Sequence, residues 1–95
     1  MSEDPYIAKL RALKPRFKEM GLKRVRVFGS RVRGDARPDS DLDLLIDFYE
    51  RPDLFELGGL YMDFKDMLEC DVDIVMEDSI HPALRENILS EAQDV

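Results

Sequence analysis

The sequence predicts one α/β domain, residues 1–95, with three strands and flanking helices. Its 95 residues leave room for a single domain. Apolar residues make up 44% of the chain and charged residues 37%, a balance typical of soluble globular proteins. Segments with the two-residue alternation of strands are interspersed with segments of helical spacing, and no internal repeat or long linker divides them.

The first half of the chain is predicted to contain one helix and one strand. Apolar residues recur at near-helical spacing over residues 5–20. Pro15 should kink or restart that helix because it lacks the amide proton an uninterrupted helix needs, and Gly21 fits its end. Lys23–Phe28 alternates like a strand. Residues 29–40 are rich in glycine, proline and small polar residues, so we expect a loop that starts with a short helical turn.

Two further strands and two helices are predicted in the second half. Asp41–Phe48 alternates apolar and mostly acidic residues and is the clearest strand, and Val72–Met76 is the third. Between them an amphipathic helix opens at Asp53. The last helix is expected over Pro82–Ala92, with Ser79 or a close neighbour as its N-cap.

Two glycines interrupt the helix between the second and third strands. Gly58 and Gly59 each cost about 1 kcal/mol relative to alanine in a helix interior. We therefore expect another part of the protein to pack closely against the helix there.

Composition argues against several classes of protein. No segment approaches the roughly 18 apolar residues that span a membrane, and the N-terminus lacks the apolar stretch of a secretory signal. The single cysteine, Cys70, cannot form an intrachain disulfide or a thiol-only zinc site, so we expect a cytoplasmic protein. The net charge of −7 argues against nonspecific binding to duplex DNA, which depends on neutralising phosphates.

Charge is distributed unevenly along the chain. Residues 1–37 hold 11 Lys/Arg and 4 Asp/Glu, whereas residues 38–95 hold 3 Lys/Arg and 17 Asp/Glu. This asymmetry predicts either a surface attractive to anions beside one attractive to cations, or simply solvated helix faces.

The loop between the first two strands carries the residues with the clearest chemistry. A strand ends at Gly29 and Ser30, where glycine lets the backbone approach a ligand and the amides of a following helical turn can bind a phosphate. Asp41 and Asp43 project from one face of the next strand, about 6.6 Å apart along the chain, and suit a divalent ion such as Mg²⁺. Metal-assisted phosphoryl or nucleotidyl transfer requires this combination of phosphate-binding turn and paired carboxylates.

Two other interpretations of the aspartates remain open. Paired aspartates before a strand are also typical of a polar turn without a ligand. A calcium loop is the second alternative, because four acidic residues fall at the first, third, fifth and twelfth positions of its pattern: Asp39, Asp41, Asp43 and Glu50. Its sixth position requires glycine and is Leu44 here, within an alternation typical of a strand.

The same residues resemble a known signature. Gly29-Ser30, ten intervening residues and Asp41-Leu42-Asp43 are similar to the nucleotidyltransferase signature of the DNA polymerase β superfamily. The longer string FGSRVRGDARPDSDLDLLIDF resembles the minimal nucleotidyltransferases, the MNT antitoxins that are paired with HEPN ribonuclease toxins. The resemblance includes the later VDIV strand and the ending HPALRENILSEA, and so covers nearly the whole chain.

The resemblance implies a polymerase β palm-like fold with a third carboxylate. Asp73 in the third strand matches that carboxylate, and Asp71, two residues earlier on the same face, is a possible rival. Ser30 follows the first strand and Asp41 begins the second, so these strands must run antiparallel for the two residues to meet. The third strand should run parallel to the second, and we therefore expect a mixed sheet.

The resemblance also implies roles for these residues, with ATP as substrate and two Mg²⁺ ions. Asp41 and Asp43 would hold the ions on the triphosphate, and Asp73 would bind the ion beside the attacking hydroxyl. Gly29 and Ser30 would hold the β and γ phosphates. Two arginines of the same turn would add positive charge there or merely face solvent: Arg31 and Arg33.

So small a domain has no residues left for a second substrate-binding domain, so either the acceptor is small and loosely held or a partner protein brings it. The resemblance favours the partner protein. The resemblance implies that AMP is transferred from ATP onto a tyrosine of a HEPN ribonuclease toxin, which silences it. Neither nucleic acid nor a membrane is expected as a direct partner. A binding-only antitoxin and an antibiotic-modifying transferase remain open as alternatives. An apolar strip on the last helix is the predicted partner interface: Leu84, Ile88 and Ala92.

Overall fold

The computed structural model describes residues 4–95, in which strands and helices alternate as the sequence predicted. The elements are α1 (Pro5–Ala12), a 3₁₀ turn (Lys14–Arg16), β1 (Leu22–Phe28), α2 (Ser30–Arg33), β2 (Leu42–Phe48), α3 (Leu54–Leu68), β3 (Val72–Met76), a 3₁₀ turn (Glu77–Ser79), α4 (Pro82–Glu91) and β4 (Gln93–Asp94). Over this part of the chain, no helix has both the length and the apolar character needed to cross a membrane.

The sheet is mixed, as predicted, but it has four strands rather than three. The strand order is β3-β2-β1-β4; β1 runs antiparallel to both of its neighbours, and β2 runs parallel to β3. The additional strand pairs Gln93 with Val27 and Asp94 with Arg26, and Val95 beyond it is only 8% exposed. A two-residue edge strand carries no alternation, so the sequence pattern could not reveal it.

The N-terminal helix ends and restarts near Pro15, as its missing amide proton predicted. α1 begins after Asp4, whose side chain accepts hydrogen bonds from the amides of Tyr6 and Ile7 at 2.8 and 3.4 Å. The 3₁₀ turn then carries Pro15 near its start, where that residue is tolerated. Gly21, with φ of +80°, leads the chain into β1.

One face of the sheet forms the hydrophobic core and the other carries carboxylates. The core joins apolar residues of α1, α3 and three strands, including Leu10, Val25, Val27, Leu42, Leu44, Ile46, Phe64, Leu68 and Ile74. Successive side chains of a strand point to opposite faces. The residues between the core positions, Asp43 and Asp47 of β2 and Asp73 of β3, therefore lie on the other face.

Side-chain caps define where the last two long helices begin. Asp53 and Glu56 form a capping box at α3, in which the Asp53 carboxylate accepts from the Glu56 amide at 2.8 Å. α4 is capped by His81, whose Nδ1 accepts from the amide of Ala83 at 3.1 Å. The cap is thus a close neighbour of Ser79, as predicted, and not Ser79 itself, which belongs to the preceding 3₁₀ turn.

The two glycines of α3 face open space. A Cβ built on Gly58 or Gly59 would meet no atom of residues 4–95 within 4 Å. The close packing predicted at these glycines is therefore wrong within the described part of the protein.

Candidate active site

Three carboxylates meet where β2 and β3 begin. Asp43 lies directly beside Asp73 in the parallel register of the two strands, and Asp41 immediately precedes β2. Asp43 is half-buried, whereas Asp41 and Asp73 are exposed. The structure therefore brings the three predicted acidic residues together at one edge of the carboxylate-bearing face.

The negative charges of these three carboxylates repel one another. The pKa of Asp43 is raised from 3.8 to about 6, first by burial and then by the negative charges of Asp73 and Asp41. The positive charge of Arg33 opposes this shift. Proximity to like charges disfavours the ionised form of Asp43, and a cation between the carboxylates would relieve that repulsion.

Gly29 brings the turn after β1 against this cluster. Its φ of +84° and ψ of −156° lie in a region that is essentially restricted to glycine. A Cβ at this position would lie 2.1 Å from Asp43 Oδ2, so the site has no room for one. Ser30, the next residue, begins α2 and is half-buried. The predicted phosphate-binding turn and the predicted metal-binding carboxylates are thus adjacent.

The side chain of Arg31 makes its contacts within the protein. Its guanidinium is buried, donates to Asp4 Oδ2 at 3.0 Å and to the carbonyl oxygen of Ser40 at 2.7 Å, and lies 4.4 Å from the centre of the Tyr6 ring. These contacts tie the start of α1 and the residue before Asp41 to α2. The predicted contact of Arg31 with phosphate therefore has no support in this arrangement.

Arg33 lies closer to the carboxylates and is half-exposed. Its guanidinium donates to Glu91 Oε1 at 2.6 Å and, more weakly, to Asp35 Oδ2 at 3.4 Å. The charge of Glu91 also raises the pKa of Asp43, which places both ends of this ion pair near the cluster. Sequence analysis missed Glu91, since no periodicity connects residues that are 58 positions apart.

Tyr61 of α3 is a second residue that the sequence did not single out for this site. Its hydroxyl accepts from the amide of Ile74 at 3.0 Å and lies within 3.3 Å of the Ile74 carbonyl oxygen and 3.5 Å of Asp73 Oδ1. These contacts join α3 to the edge strand beside Asp73. The rival carboxylate Asp71 is instead paired with Lys65 at 3.2 Å.

The donor set is chemically suited to Mg²⁺ but is not a complete cage by itself. Among residues 4–95, no group of three acidic, histidine or cysteine side chains stands ready to hold a metal ion. Protein sites for Mg²⁺ typically use one or two carboxylates and take further ligands from water and substrate phosphates. Asp41, Asp43 and Asp73 fit that pattern next to a phosphate-binding turn.

The calcium-loop interpretation is wrong. Its central residues, Leu42–Phe48, form β2, which is paired with β1 on one side and β3 on the other. A strand in the middle of a sheet cannot wrap around an ion as that loop does.

The chain matches one protein family over most of its length. The family of the nucleotidyltransferase domain matches residues 10–95. A Methanocaldococcus jannaschii protein, provisionally named a protein adenylyltransferase, is 40% identical over 75 residues, which are 79% of this chain and 81% of the relative. Protein adenylyltransferase MntA of Thermococcus cleftensis is 39% identical over 71 residues, 75% of this chain and 72% of the relative.

Several solved structures share the fold. One that is provisionally described as a minimal nucleotidyltransferase is 41% identical, with a TM-score of 0.82 over 100% of this chain and 97% of that one. A toxin–antitoxin crystal structure with AMP-PNP contains a chain 23% identical, with a TM-score of 0.68 over 99% of this chain and 72% of that one. A structure of a tri-AMPylated Shewanella oneidensis HEPN toxin in complex with MNT antitoxin contains a chain that is 16% identical. Its TM-score is 0.69 over 94% of this chain and 70% of that one. The last two similarities concern the fold alone.

Proposed function

The chain belongs to the nucleotidyltransferase domain family, and we propose that it is a protein adenylyltransferase that acts as an antitoxin. In this proposal it transfers AMP from ATP to a tyrosine of a partner HEPN ribonuclease toxin in the cytoplasm, and the modification silences the toxin. The observation that carries the proposal is the register of the sheet, which sets Asp43 beside Asp73 while Gly29 lies against Asp43.

The three carboxylates would hold the metal ions of the reaction. Asp41 and Asp43 would bind two Mg²⁺ ions together with the triphosphate, and Asp73 would bind the ion beside the attacking hydroxyl. Bound Mg²⁺ lowers the pKa of that hydroxyl and neutralises charge on the departing pyrophosphate. The raised pKa of Asp43 supports this assignment, because a divalent cation relieves the repulsion that contributes to the shift.

The turn after β1 would hold the β and γ phosphates. Gly29 lets the turn lie directly against Asp43, and Ser30 would offer its hydroxyl and amide to a phosphate there. Arg33 would add positive charge to this site once its guanidinium leaves Glu91. Arg31 has no part in the proposal, because its guanidinium is buried against the protein itself.

A protein side chain is the acceptor that best suits this site. Asp41 and Asp73 are exposed, so a hydroxyl on the surface of a large partner can approach them. Two relatives bear the name protein adenylyltransferase, and one structure of the same fold is described as an MNT antitoxin with a tri-AMPylated HEPN toxin. These descriptions support a HEPN toxin as the AMP-accepting partner in a hetero-oligomer, and the tyrosine acceptor is part of the proposal.

A binding-only antitoxin is the second candidate, favoured by charge. Residues 38–95 hold 17 acidic side chains against 3 basic ones, which suits contact with a basic toxin surface. This candidate requires no chemistry at the carboxylates, so neutralisation would survive their loss.

Intact-mass spectrometry distinguishes the two candidates. The purified protein is incubated with ATP, Mg²⁺ and the product of its neighbouring gene, and both proteins are then weighed. We expect an AMP adduct on the partner with the wild type and with the control Asp39→Asn, but none with Asp41→Asn/Asp43→Asn. If neither protein gains an adduct and the double variant still inhibits the partner, the binding-only function is correct.

A further inference from the structure

α3 carries a second apolar stripe on the side that faces away from the core. Its inner side packs through Leu60, Phe64 and Leu68. On the outer side, non-polar residues occur at positions i, i+3, i+4 and i+7 of the helix, starting from Phe55, and Leu54 lies beside them. We call this set the outer face of α3: Leu54, Phe55, Gly58, Gly59 and Met62. Leu54 is 87% exposed, Phe55 93% and Met62 63%.

The composition of the outer face suits packing against another helix. A helix that is apolar on both sides is normally buried on both. Gly58 and Gly59 each cost about 1 kcal/mol within a helix, and no atom of residues 4–95 lies near the space a side chain would occupy there. Without side chains at these two positions, the backbone of a second helix can come close.

The charged residues beside the outer face indicate which kind of helix would bind there. Exposed acidic residues border the stripe: Glu56, Asp63 and Asp66. The lysine of α3, Lys65, is already paired with Asp71 at 3.2 Å. A second copy of this chain would bring acidic borders together, which like-charge repulsion opposes. A helix with Lys and Arg beside its apolar side would place opposite charges there.

The outer face lies on the far side of α3 from the sheet, whereas the carboxylates lie on the sheet face opposite the core. Tyr61, the sequence neighbour of Met62, points instead to the edge strand and lies 3.5 Å from Asp73. A partner held on the outer face would therefore leave the carboxylates uncovered. On α4, where the sequence predicted the interface, Leu84 is 54% exposed but Ile88 and Ala92 are half-buried.

We propose that the outer face of α3 binds an amphipathic helix of the partner protein, one whose apolar side is flanked by Lys and Arg. The proposal rests on the proposed function only for the existence of a protein partner. Docking through this face needs no ATP, no metal ion and no active-site carboxylate.

A synthetic helical peptide tests docking without catalysis. The probe consists of leucine and lysine, with an apolar side flanked by lysines, and a matched peptide carries glutamates in place of the lysines. Fluorescence anisotropy measures binding to the wild type, Phe55→Ser/Met62→Ser and the control Leu84→Ser, and circular dichroism checks that each is folded. We expect binding at least about tenfold weaker for the double variant and for the glutamate peptide. The variants Leu84→Ser and Asp41→Asn/Asp43→Asn should bind the lysine peptide as tightly as the wild type does.

Two results would overturn the proposal. One is equal binding of the lysine peptide by the wild type and Phe55→Ser/Met62→Ser. The other is a wild-type dimer in light scattering that Phe55→Ser/Met62→Ser converts to monomer, because the occupant would then be a second copy. If peptide binding depends on α3 while no AMP adduct ever forms, the docking proposal stands and adenylylation fails.

Discussion

At the scale of single residues, Asp43 couples the chemistry of the site to the stability of the fold. Its pKa in the folded protein is raised from 3.8 to about 6, so between these values the folded protein binds more protons than the unfolded chain. The contribution of Asp43 to stability therefore falls as pH rises through this window. Ionised Asp43 is the form that would bind a cation in the proposed function, so the ionisation that this function needs lowers the stability of the metal-free fold.

Asp43→Asn should consequently stabilise the metal-free protein while abolishing AMP transfer. We expect a gain of about 1 kcal/mol in the free energy of unfolding near pH 7.5, after allowing for solvent screening of a half-buried carboxylate. Below about pH 3 the gain should vanish, because the wild-type carboxyl is then protonated in both states. Urea unfolding at both pH values measures the difference. A variant less stable than the wild type at both would contradict this account of Asp43.

Gly29 and Gly34 form a matched pair for testing whether the turn after β1 must approach Asp43 closely. Both have φ of +84°, but only a Cβ at Gly29 would meet a neighbour, Asp43 Oδ2 at 2.1 Å. Gly34→Ala should cost about 1 kcal/mol of stability from its backbone conformation alone. Gly29→Ala should cost about 1–3 kcal/mol and reduce AMP transfer about 100-fold, because the turn or the carboxylate must move. Similar transfer rates for the two variants in a mass-spectrometric time course would refute the role of Gly29.

At the scale of elements, much of the fold followed from local patterns. The alternation in β2 and β3, the restart of the first helix at Pro15 and the antiparallel and parallel pairings were all confirmed. The misses have a common physical cause. The exact cap residue of α4, His81 and not Ser79, depends on where the preceding 3₁₀ turn leaves the chain, and the contacts of Tyr61 and Glu91 depend on tertiary packing. None of these leaves a periodic trace in the sequence.

Tyr61 links α3 to the edge strand and is expected to act as a positioning residue for Asp73. Tyr61→Phe leaves the amide of Ile74 without its side-chain acceptor, so we expect a loss of about 1 kcal/mol in stability. If the contact also orients Asp73, kcat should fall several-fold while KM for ATP stays unchanged. Tyr49→Phe, at a tyrosine that is 58% exposed, is the control and should change neither quantity. Equal kcat values for the two variants would leave Tyr61 with a purely structural role.

At the scale of the whole molecule, the uneven charge of the sequence is offset in part by ion pairs between the two halves. Basic residues of the first 37 positions pair with acidic residues of the remainder: Lys9 with Glu69, Arg24 with Asp94, Arg26 with Asp47 and Glu77, and Arg33 with Glu91. Sequence order could not show this, because strand pairing brings distant segments together. Other exposed basic residues of the first half lie outside these pairs, including Lys14, Lys18 and Lys23.

Binding of Mg²⁺ and ATP should appear as a large gain in thermal stability of the whole domain. A small domain buries a modest share of its surface, so its free energy of unfolding is modest. Ligand binding to the folded state therefore adds a large fraction to that free energy. A ligand at 100 times its Kd adds about 2.7 kcal/mol. For a domain of this size that corresponds to a rise of about 10 °C or more in Tm. Differential scanning fluorimetry measures it.

The rise should require metal and nucleotide together, since in the proposed site the carboxylates would provide only part of the coordination shell and the phosphates would complete it. ATP with excess EDTA, or Mg²⁺ without ATP, should therefore each give a much smaller rise than the pair. Asp39→Asn keeps all three carboxylates and should respond like the wild type, whereas Asp41→Asn/Asp43→Asn should lose the response. A full rise with ATP and EDTA would place the nucleotide away from the carboxylates and refute the metal-dependent site.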